Sequence, residues 1–200
     1  MPAAASRTSD LLAGLVRDAT GDRVTVRSIV GALGERAHAL LIVVLALPNC
    51  LPMPPPIPLI CGLLLCFVAL QIFLGMPAPW LPKTLLDRTL ARKDVEKAAE
   101  RAVPWLRSLE RVARPRFLVL ASSLALRLIA IALLAFSMAL IFAAPFIGQI
   151  PLGIAIALVG IGLVERDGYV VIGGLCIGAF GTSLSLGFVI ALVASATAIF

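Results

Sequence analysis

The sequence predicts an all-α integral membrane protein. Hydrophobic residues make up 60% of its 200 positions and charged residues only 14%, whereas soluble domains average about 45–50% and about 25%. The charges cluster in two stretches, 1–36 and 83–116, and the rest of the chain consists largely of apolar runs. Because a spanning helix needs about 20 apolar residues, we expect about four to five apolar segments. One or two of them should be proline-broken or re-entrant helical hairpins, and amphipathic cytosolic helices should accompany them.

The pattern divides the chain into five parts. The predicted parts are a cytosolic cap (1–36), a first helix–proline-break–helix membrane unit (37–80), a basic amphipathic cytosolic helical connector (81–116), a second helix–proline-break–helix membrane unit (117–168), and a C-terminal membrane helix or broken helix (169–200). Within the cap, we expect an interfacial amphipathic helix over 26–36, with Thr25 as its N-cap. A glycine- and serine-rich run at 178–187 predicts either a bend or close helix packing through small residues.

The distribution of basic residues predicts the orientation of the chain. Residues 83–116 contain ten Lys or Arg against five Asp or Glu. The positive-inside rule therefore predicts that this connector and the N-terminus are cytoplasmic. Residues 37–80 must then cross the membrane an even number of times. Their first arm, 37–47, would be a helix of roughly 16 Å, too short for a ~30 Å core, so we expect a re-entrant hairpin or a very short pair of spans.

Two proline-rich breaks interrupt the apolar sequence and resemble each other. The first contains Pro48, Pro52 and Pro58, and the second contains Pro145 and Pro151. Each break holds one amide side chain, Asn49 or Gln149, and an apolar helix follows it. The opening prolines are 97 residues apart (145 − 48). This similarity predicts an internal duplication, with the parallel and inverted arrangements both open.

The breaks have two interpretations. Non-helical backbone survives inside a membrane only where protein or water surrounds it, and transporters place substrate sites at such discontinuous helices. In that case, the helix starts would supply unpaired N–H groups to a substrate. In the other interpretation, the prolines only form a tight hairpin tip that maintains the shape of the protein.

Charged residues near the membrane provide further candidates. Arg127 lies about ten residues into its segment, where it is either a headgroup anchor or a partner of Glu165, Asp167 or a lipid-linked phosphate. Glu165 and Asp167 lie in the turn "ERDG", which is either a solvated loop or an ion- or proton-coupling gate. The candidates are thus Asn49, Arg127 and Gln149 for substrate binding, and Glu165 and Asp167 for ion or proton coupling.

The sequence carries no recognisable enzyme constellation. It contains no nucleophile–base pair, no phosphate-binding glycine loop and no Asp-x-Asp pair for a metal–nucleotide sugar. Its four cysteines have no metal-ligand spacing, and its single histidine, His38, has no partner cluster. We expect no catalytic residues, no metal and no cofactor, and we do not expect nucleic acid to be a partner.

Several motifs resemble the bacterial exopolysaccharide-synthesis ExoD family. They are "ALPNCLPMPPP", "ALQIFLG" followed by "PWLP", the basic stretch "PWLRSLERVARPR", and the late "GIGLVERDG", in that order. The resemblance implies a multi-pass protein of the bacterial inner membrane, linked to making or exporting exopolysaccharide. We expect its partners to be membrane lipids, the polysaccharide-synthesis machinery and further copies of itself in a homo-oligomer.

Three functional hypotheses follow. The first is binding or translocation of a lipid-linked anionic sugar precursor, with the broken helices and Arg127 as its site. The second is an accessory scaffold, in which the basic helices at 83–116 recruit cytosolic synthesis enzymes. The third is a cation or proton exchanger that uses Glu165 and Asp167.

Overall fold

The computed structural model describes residues 23–34, 36–54, 56–80, 87, 89–91, 122–143 and 147–199. In chain order, the elements are strand β1 (Arg23–Thr25), helices α1 (Val26–Leu33) and α2 (Arg36–Ala46), a 3₁₀ turn (Leu47–Cys50), helix α3 (Pro56–Phe73), strand β2 (Thr89–Ala91), and helices α4 (Ser123–Ile141), α5 (Gln149–Glu165) and α6 (Gly168–Ile199).

The predicted all-α membrane architecture is confirmed. Three of the described helices are long and apolar enough to cross a membrane: α3, α4, and α6 over Gly168–Ser195. Two apolar segments are shorter, namely Arg36–Cys50 and α5. At 1.5 Å per residue, the 15 residues of Arg36–Cys50 extend about 22 Å, which is less than the ~30 Å thickness of a membrane core.

The N-terminal helix α1 begins as predicted and ends earlier. Thr25 caps it by accepting a hydrogen bond from the Ser28 backbone N–H at 3.3 Å. The prediction extended this helix to residue 36, but it stops at Leu33 because Gly34 adopts a positive φ of 53°. That conformation is readily available to glycine and breaks the helical path.

A small β-ladder corrects one part of the sequence prediction. We predicted that 83–116 is helical, yet Thr89–Ala91 forms a strand that pairs antiparallel with Arg23–Thr25. Beside this ladder, Arg27 Nη2 lies 2.7 Å from Asp87 Oδ1 in an exposed ion pair. These contacts join the N-terminal segment to the start of the connector. Residues 92–116, which carry most of the predicted basic helix, lie outside the described residues.

The apolar helices form one bundle, and the contacts of three helix pairs establish their relative directions. Gly160 of α5 packs beside Ala39 and Val43 of α2, whereas Gly153 packs beside Asn49 just after α2, so α2 and α5 are antiparallel. The α5–α6 pair is also antiparallel, because Gly162 meets Val171 while the earlier part of α5 meets later positions of α6. In contrast, α4 and α6 run in the same direction: Phe136 packs on Gly178, and the Ala139 carbonyl accepts a hydrogen bond from Ser185. It follows that α2, α4 and α6 are parallel to one another.

Small residues allow α6 to pack closely against its neighbours. A Cβ added at Gly174 would lie 2.9 Å from both the Ala155 carbonyl oxygen and the Val159 nitrogen of α5. Gly181 lies against Leu152 in the same way. In lipid, where apolar burial between helices gains little, such close packing is a main source of helix association. The run at 178–187 therefore mediates close packing, and the hydrogen-bonded helix continues through it.

The two hairpins, α2–α3 and α4–α5, are related by a pseudo-twofold axis. Gly62 of α3 packs against Ser137 and Ile141 of α4, and Gly160 packs against Ala39 and Val43 of α2. Each residue of the first half maps onto its counterpart by adding 98: 62 to 160, 39 to 137 and 43 to 141. These contacts are reciprocal, as they are across a twofold interface.

This symmetry resolves the orientation that the sequence left open. Because α2 and α4 run in the same direction, the axis lies along the helices and the two hairpins form a parallel repeat. The structural register is 98 residues, one more than the spacing of the opening prolines. Leu51 and Gln149 are themselves 98 residues apart and contact each other, so this pair lies on the axis.

Candidate functional site

The two helix breaks meet at one end of the bundle. Gly153, in the second turn of α5, lies so close to the first break that an added Cβ would overlap the Asn49 carbonyl group and approach the Cys50 nitrogen to 2.8 Å. Four residues earlier, the Gln149 side chain donates a hydrogen bond of 2.9 Å from Nε2 to the Leu51 carbonyl oxygen. We call this contact region, residues 47–54 and 147–153, the break junction.

Both predicted amides are fully buried in the break junction. Asn49 and Gln149 are each 0% exposed. Asn49 Nδ2 donates to the Leu45 carbonyl oxygen at 2.9 Å, much as Gln149 Nε2 donates to Leu51. Since a carbonyl can only accept, these bonds fix the orientation of both amides. Among the described residues, Asn49 Oδ1 and Gln149 Oε1 then have no hydrogen-bond partner, an unusual state for buried oxygens.

The prolines of the first break remove backbone donors that would otherwise need partners. Of the eight residues 51–58, five are proline and therefore lack an N–H group. The Leu51 N–H donates to the Pro48 carbonyl at 3.3 Å, and the Ile57 N–H donates to the Pro54 carbonyl at 3.0 Å. A non-helical segment inside a membrane must satisfy its backbone internally, and a proline-rich one has fewer groups to satisfy.

The second break is covered by α6. A Cβ added at Gly148, which precedes α5, would lie 3.1 Å from the Ser185 Cβ. Pro151 sits in the first turn of α5, where its missing N–H leaves no helical hydrogen bond unmade. The Leu152 N–H donates to the Gly148 carbonyl at 3.2 Å. Pro145 lies outside the described residues.

Among the described residues, the unpartnered side-chain atoms of the break junction are hydrogen-bond acceptors. We expected the helix starts to present N–H groups, but Pro56, Pro58 and Pro151 lack them, and those of Ile57 and Leu152 are engaged, which leaves Gln149 and Ile150 as the N–H donors at the start of α5. Two amide oxygens remain available instead. Two buried oxygens without a donor suit a cation or a hydrogen-bond donor.

Arg127 is not part of the break junction. It is exposed in the second turn of α4, and the 14 residues from Arg127 to Ile141 extend about 21 Å along the helix. It therefore lies near the opposite end of the bundle from Asn49 and Gln149. Because α4 and α5 are antiparallel, Arg127 shares that end with Glu165 and Asp167.

The comparisons with known proteins cover nearly the same span as the bundle. The family model described as "Exopolysaccharide synthesis, ExoD" matches residues 8–196. The chain belongs to the ExoD family. It is 32% identical over 173 residues to Protein ExoD of Rhizobium meliloti (strain 1021), covering 83% of this chain and 70% of that protein. It is also 30% identical over 159 residues to an uncharacterised protein of Synechocystis sp. (strain ATCC 27184 / PCC 6803 / Kazusa), covering 78% and 74% respectively. No solved structure gives a significant match.

The late "ERDG" motif of this ExoD-family chain forms a tight turn between α5 and α6. Arg166 ends α5 in the left-handed conformation, with a φ of 55°. Asp167 Oδ1 then accepts hydrogen bonds from the backbone N–H groups of Tyr169 at 2.9 Å and Val170 at 3.5 Å. Asp167 is therefore the N-cap of α6, and this role accounts for its burial. The proposed coupling role of Glu165 and Asp167 stays a prediction.

Sequence reasoning missed the glycines that bring the hairpins of this ExoD-family protein together. Gly62, Gly153 and Gly160 each lie where an added Cβ would come within 3.0 Å of a neighbouring helix or break. A signal was present, because glycine inside a long apolar helix lowers helix stability and usually marks a close approach. The partner of each glycine could not be read from the sequence, since it lies in the other hairpin.

Proposed function

We propose that this ExoD-family chain is an inner-membrane protein of exopolysaccharide synthesis that binds, and helps to translocate, a lipid-linked anionic sugar precursor. Family membership supports the process. The position of Arg127 supports the binding step. In this proposal, the protein holds and moves the precursor without catalysing a reaction on it. The membrane lipids and the polysaccharide-synthesis machinery are its proposed partners, and its homo-oligomeric state stays a prediction.

The observation that carries the proposal is an exposed arginine on an apolar helix face. Arg127 is surrounded on α4 by Leu124, Leu128 and Ile131, which are 68%, 59% and 50% exposed. Such a face is suited to lipid tails, and a guanidinium there must reach the headgroups or bind an anion. A phosphate matches the planar guanidinium through two parallel hydrogen bonds, and a prenyl chain could lie along the neighbouring apolar side chains.

The proposed orientation places Arg127 and the break junction at different depths in the membrane. If the basic connector is cytoplasmic, α4 starts at the cytoplasmic surface and Arg127 lies near that leaflet. The break junction then lies deeper, because the α2 arm extends only about 22 Å into a ~30 Å core. The two hairpins would thus be re-entrant or very short, and neighbouring helices would shield the junction from lipid.

Two substitutions of Arg127 distinguish phosphate binding from simple anchoring. We expect Arg127→Ala to abolish polymer output in cells while the protein still inserts and accumulates. Arg127→Lys is the sharper test, because lysine anchors a helix at the headgroups equally well but cannot form the two-pronged phosphate contact. We therefore expect Arg127→Lys to lower polymer output at least ~10-fold, as expected when a contact of about 1.4 kcal/mol is lost.

The control for this experiment is Arg27→Ala, which removes another exposed arginine that pairs with Asp87. Its polymer output should match that of the wild type. Full output from Arg127→Lys would show that Arg127 is an anchor. Full output from Arg127→Ala would remove the anion-binding step from the proposal.

The scaffold and exchanger alternatives have less support from the described residues. The scaffold depends on Arg107, Arg111 and Arg114, which lie outside them. The exchanger depends on Glu165 and Asp167, and capping of α6 already explains the second of these.

A further inference from the structure

The break junction has an electrostatic character that the proposed phosphate contact does not use. The break junction, residues 47–54 and 147–153, and the first turn of α3 contain no charged side chain. The 3₁₀ turn that follows α2 and the C-terminus of α4 both lead into this region, and helix C-termini carry partial negative charge. The opposing helix starts are depleted of N–H groups by Pro56, Pro58 and Pro151. The region is therefore formally neutral and contains more carbonyl and amide oxygens than backbone N–H groups.

Two of these oxygens lack the partner that buried oxygens normally have. In the part of the chain that the structure describes, no donor reaches Asn49 Oδ1 or Gln149 Oε1, and both residues are 0% exposed. Their own NH₂ groups are already bonded to carbonyls of the protein. Rotating either amide by 180° would place its oxygen against the carbonyl that now accepts from its NH₂ group. The NH₂ group would then lose its partner, and the oxygen would gain none.

We infer that the break junction is an occluded site for one monovalent cation, Na⁺ or K⁺. Asn49 Oδ1, Gln149 Oε1 and nearby backbone carbonyls of the two breaks supply the oxygen ligands. Unwound backbone and helix C-termini are the groups that coordinate alkali cations in broken-helix membrane proteins. A divalent cation is disfavoured because neither break carries a carboxylate to balance its charge, and an anion is disfavoured because the two unpartnered side-chain atoms are acceptors.

The site lies on the pseudo-twofold axis, where the two hairpins contact each other through Gln149 and Leu51. A bound cation would therefore be held by both hairpins at once, and it would hold them together. This inference is independent of the phosphate contact at Arg127, which lies near the other end of the bundle.

The test is thermal unfolding of the purified full-length protein in detergent, at fixed ionic strength, in chloride salts of Na⁺, K⁺ or N-methyl-D-glucamine. We expect Na⁺ or K⁺ to raise the unfolding midpoint by about 5 °C in a saturable manner, as a ligand of the folded state does. N-methyl-D-glucamine, a far larger organic cation, should leave the midpoint unchanged.

Two variants and one matched control identify the ligands. Asn49→Leu and Gln149→Leu should each abolish the cation-dependent shift. The control is Gln71→Leu: Gln71 is another buried amide, but it bonds the Trp80 backbone through both Nε2 (3.3 Å) and Oε1 (2.6 Å). Its cation-dependent shift should persist, and so should that of Arg127→Ala.

A binding measurement on the wild type covers the case in which the variants fail to fold. Saturable binding of radiolabelled Na⁺ or Rb⁺, one ion per chain and competed by the unlabelled ion, is expected. Equal midpoints in all three salts with no saturable binding would overturn the inference. So would an undiminished shift in a folded Asn49→Leu or Gln149→Leu variant.

Discussion

Replacing Gly153 by alanine is expected to lower the free energy of unfolding by about 3 kcal/mol, the upper end of the usual overpacking range. An added Cβ would overlap the Asn49 carbonyl group and lie 2.8 Å from the Cys50 nitrogen. Both neighbours are backbone atoms of a proline-rich break, which cannot move aside as a flexible side chain can. The two hairpins must therefore separate at the break junction, and Asn49 and Gln149 lose their packing.

Chemical unfolding in detergent measures this effect, and Gly187→Ala is the matched control. Gly187 also lies in a membrane helix, yet a Cβ added there would have no atom within 4 Å. Alanine at this position should be neutral or stabilising by up to about 1 kcal/mol, since it favours helix more than glycine does. Equal stabilities of Gly153→Ala and Gly187→Ala would show that the two breaks do not touch.

The second large effect is expected at Gly174, where alanine should destabilise the protein by about 2 kcal/mol. Its added Cβ would lie 2.8 Å from Val159 Cγ2 and 2.9 Å from the Val159 nitrogen and the Ala155 carbonyl oxygen. The change should weaken the packing of α6 against α5, and this packing joins α6 to the two hairpins α2–α3 and α4–α5.

The adjacent residue provides the control for Gly174. Gly173 has no atom within 4 Å of an added Cβ, so Gly173→Ala should not destabilise the protein. The pair differs by one position on the same helix and therefore shares its local propensity and its depth in the bundle. If both alanines prove harmless, α6 does not pack on α5 through this face.

The fold class followed from composition, because so apolar a chain is expected to fold in lipid. The two amides were also identifiable, since a polar side chain in an apolar, proline-broken segment needs a partner or a ligand. Both are buried in the structure, and their role in binding stays a prediction. The break junction itself could not be predicted, because its contacts join residues about 100 positions apart, such as Leu51 and Gln149.

Three expectations failed for identifiable reasons. Arg127 was grouped with Asn49 and Gln149, but distance along a helix and its direction in the bundle separate them. Three of the N–H groups expected at the helix starts are missing because residues 56, 58 and 151 are prolines. The strand at Thr89–Ala91 was predicted as helix because its three residues lie in an amphipathic stretch, and its partner is Arg23–Thr25, more than 60 positions earlier.

The central claim is that two equivalent hairpins exchange contacts across a pseudo-twofold axis, and disulfide cross-linking in native membranes tests it most directly. In a background without the four native cysteines, one pair is Val43→Cys with Gly160→Cys, and the other is Gly62→Cys with Ile141→Cys. An added Cβ at Gly160 would lie 2.8 Å from Val43 Cγ2, and one at Gly62 would lie 2.7 Å from Ile141 Cγ1. Both pairs are thus within the reach of a disulfide.

We expect both pairs to cross-link within one chain, whereas Val44→Cys with Gly160→Cys should not, because Val44 faces outward and is 61% exposed. Cross-linking of only one of the two equivalent pairs, or equal cross-linking of the Val44 control, would contradict the symmetric arrangement of the hairpins.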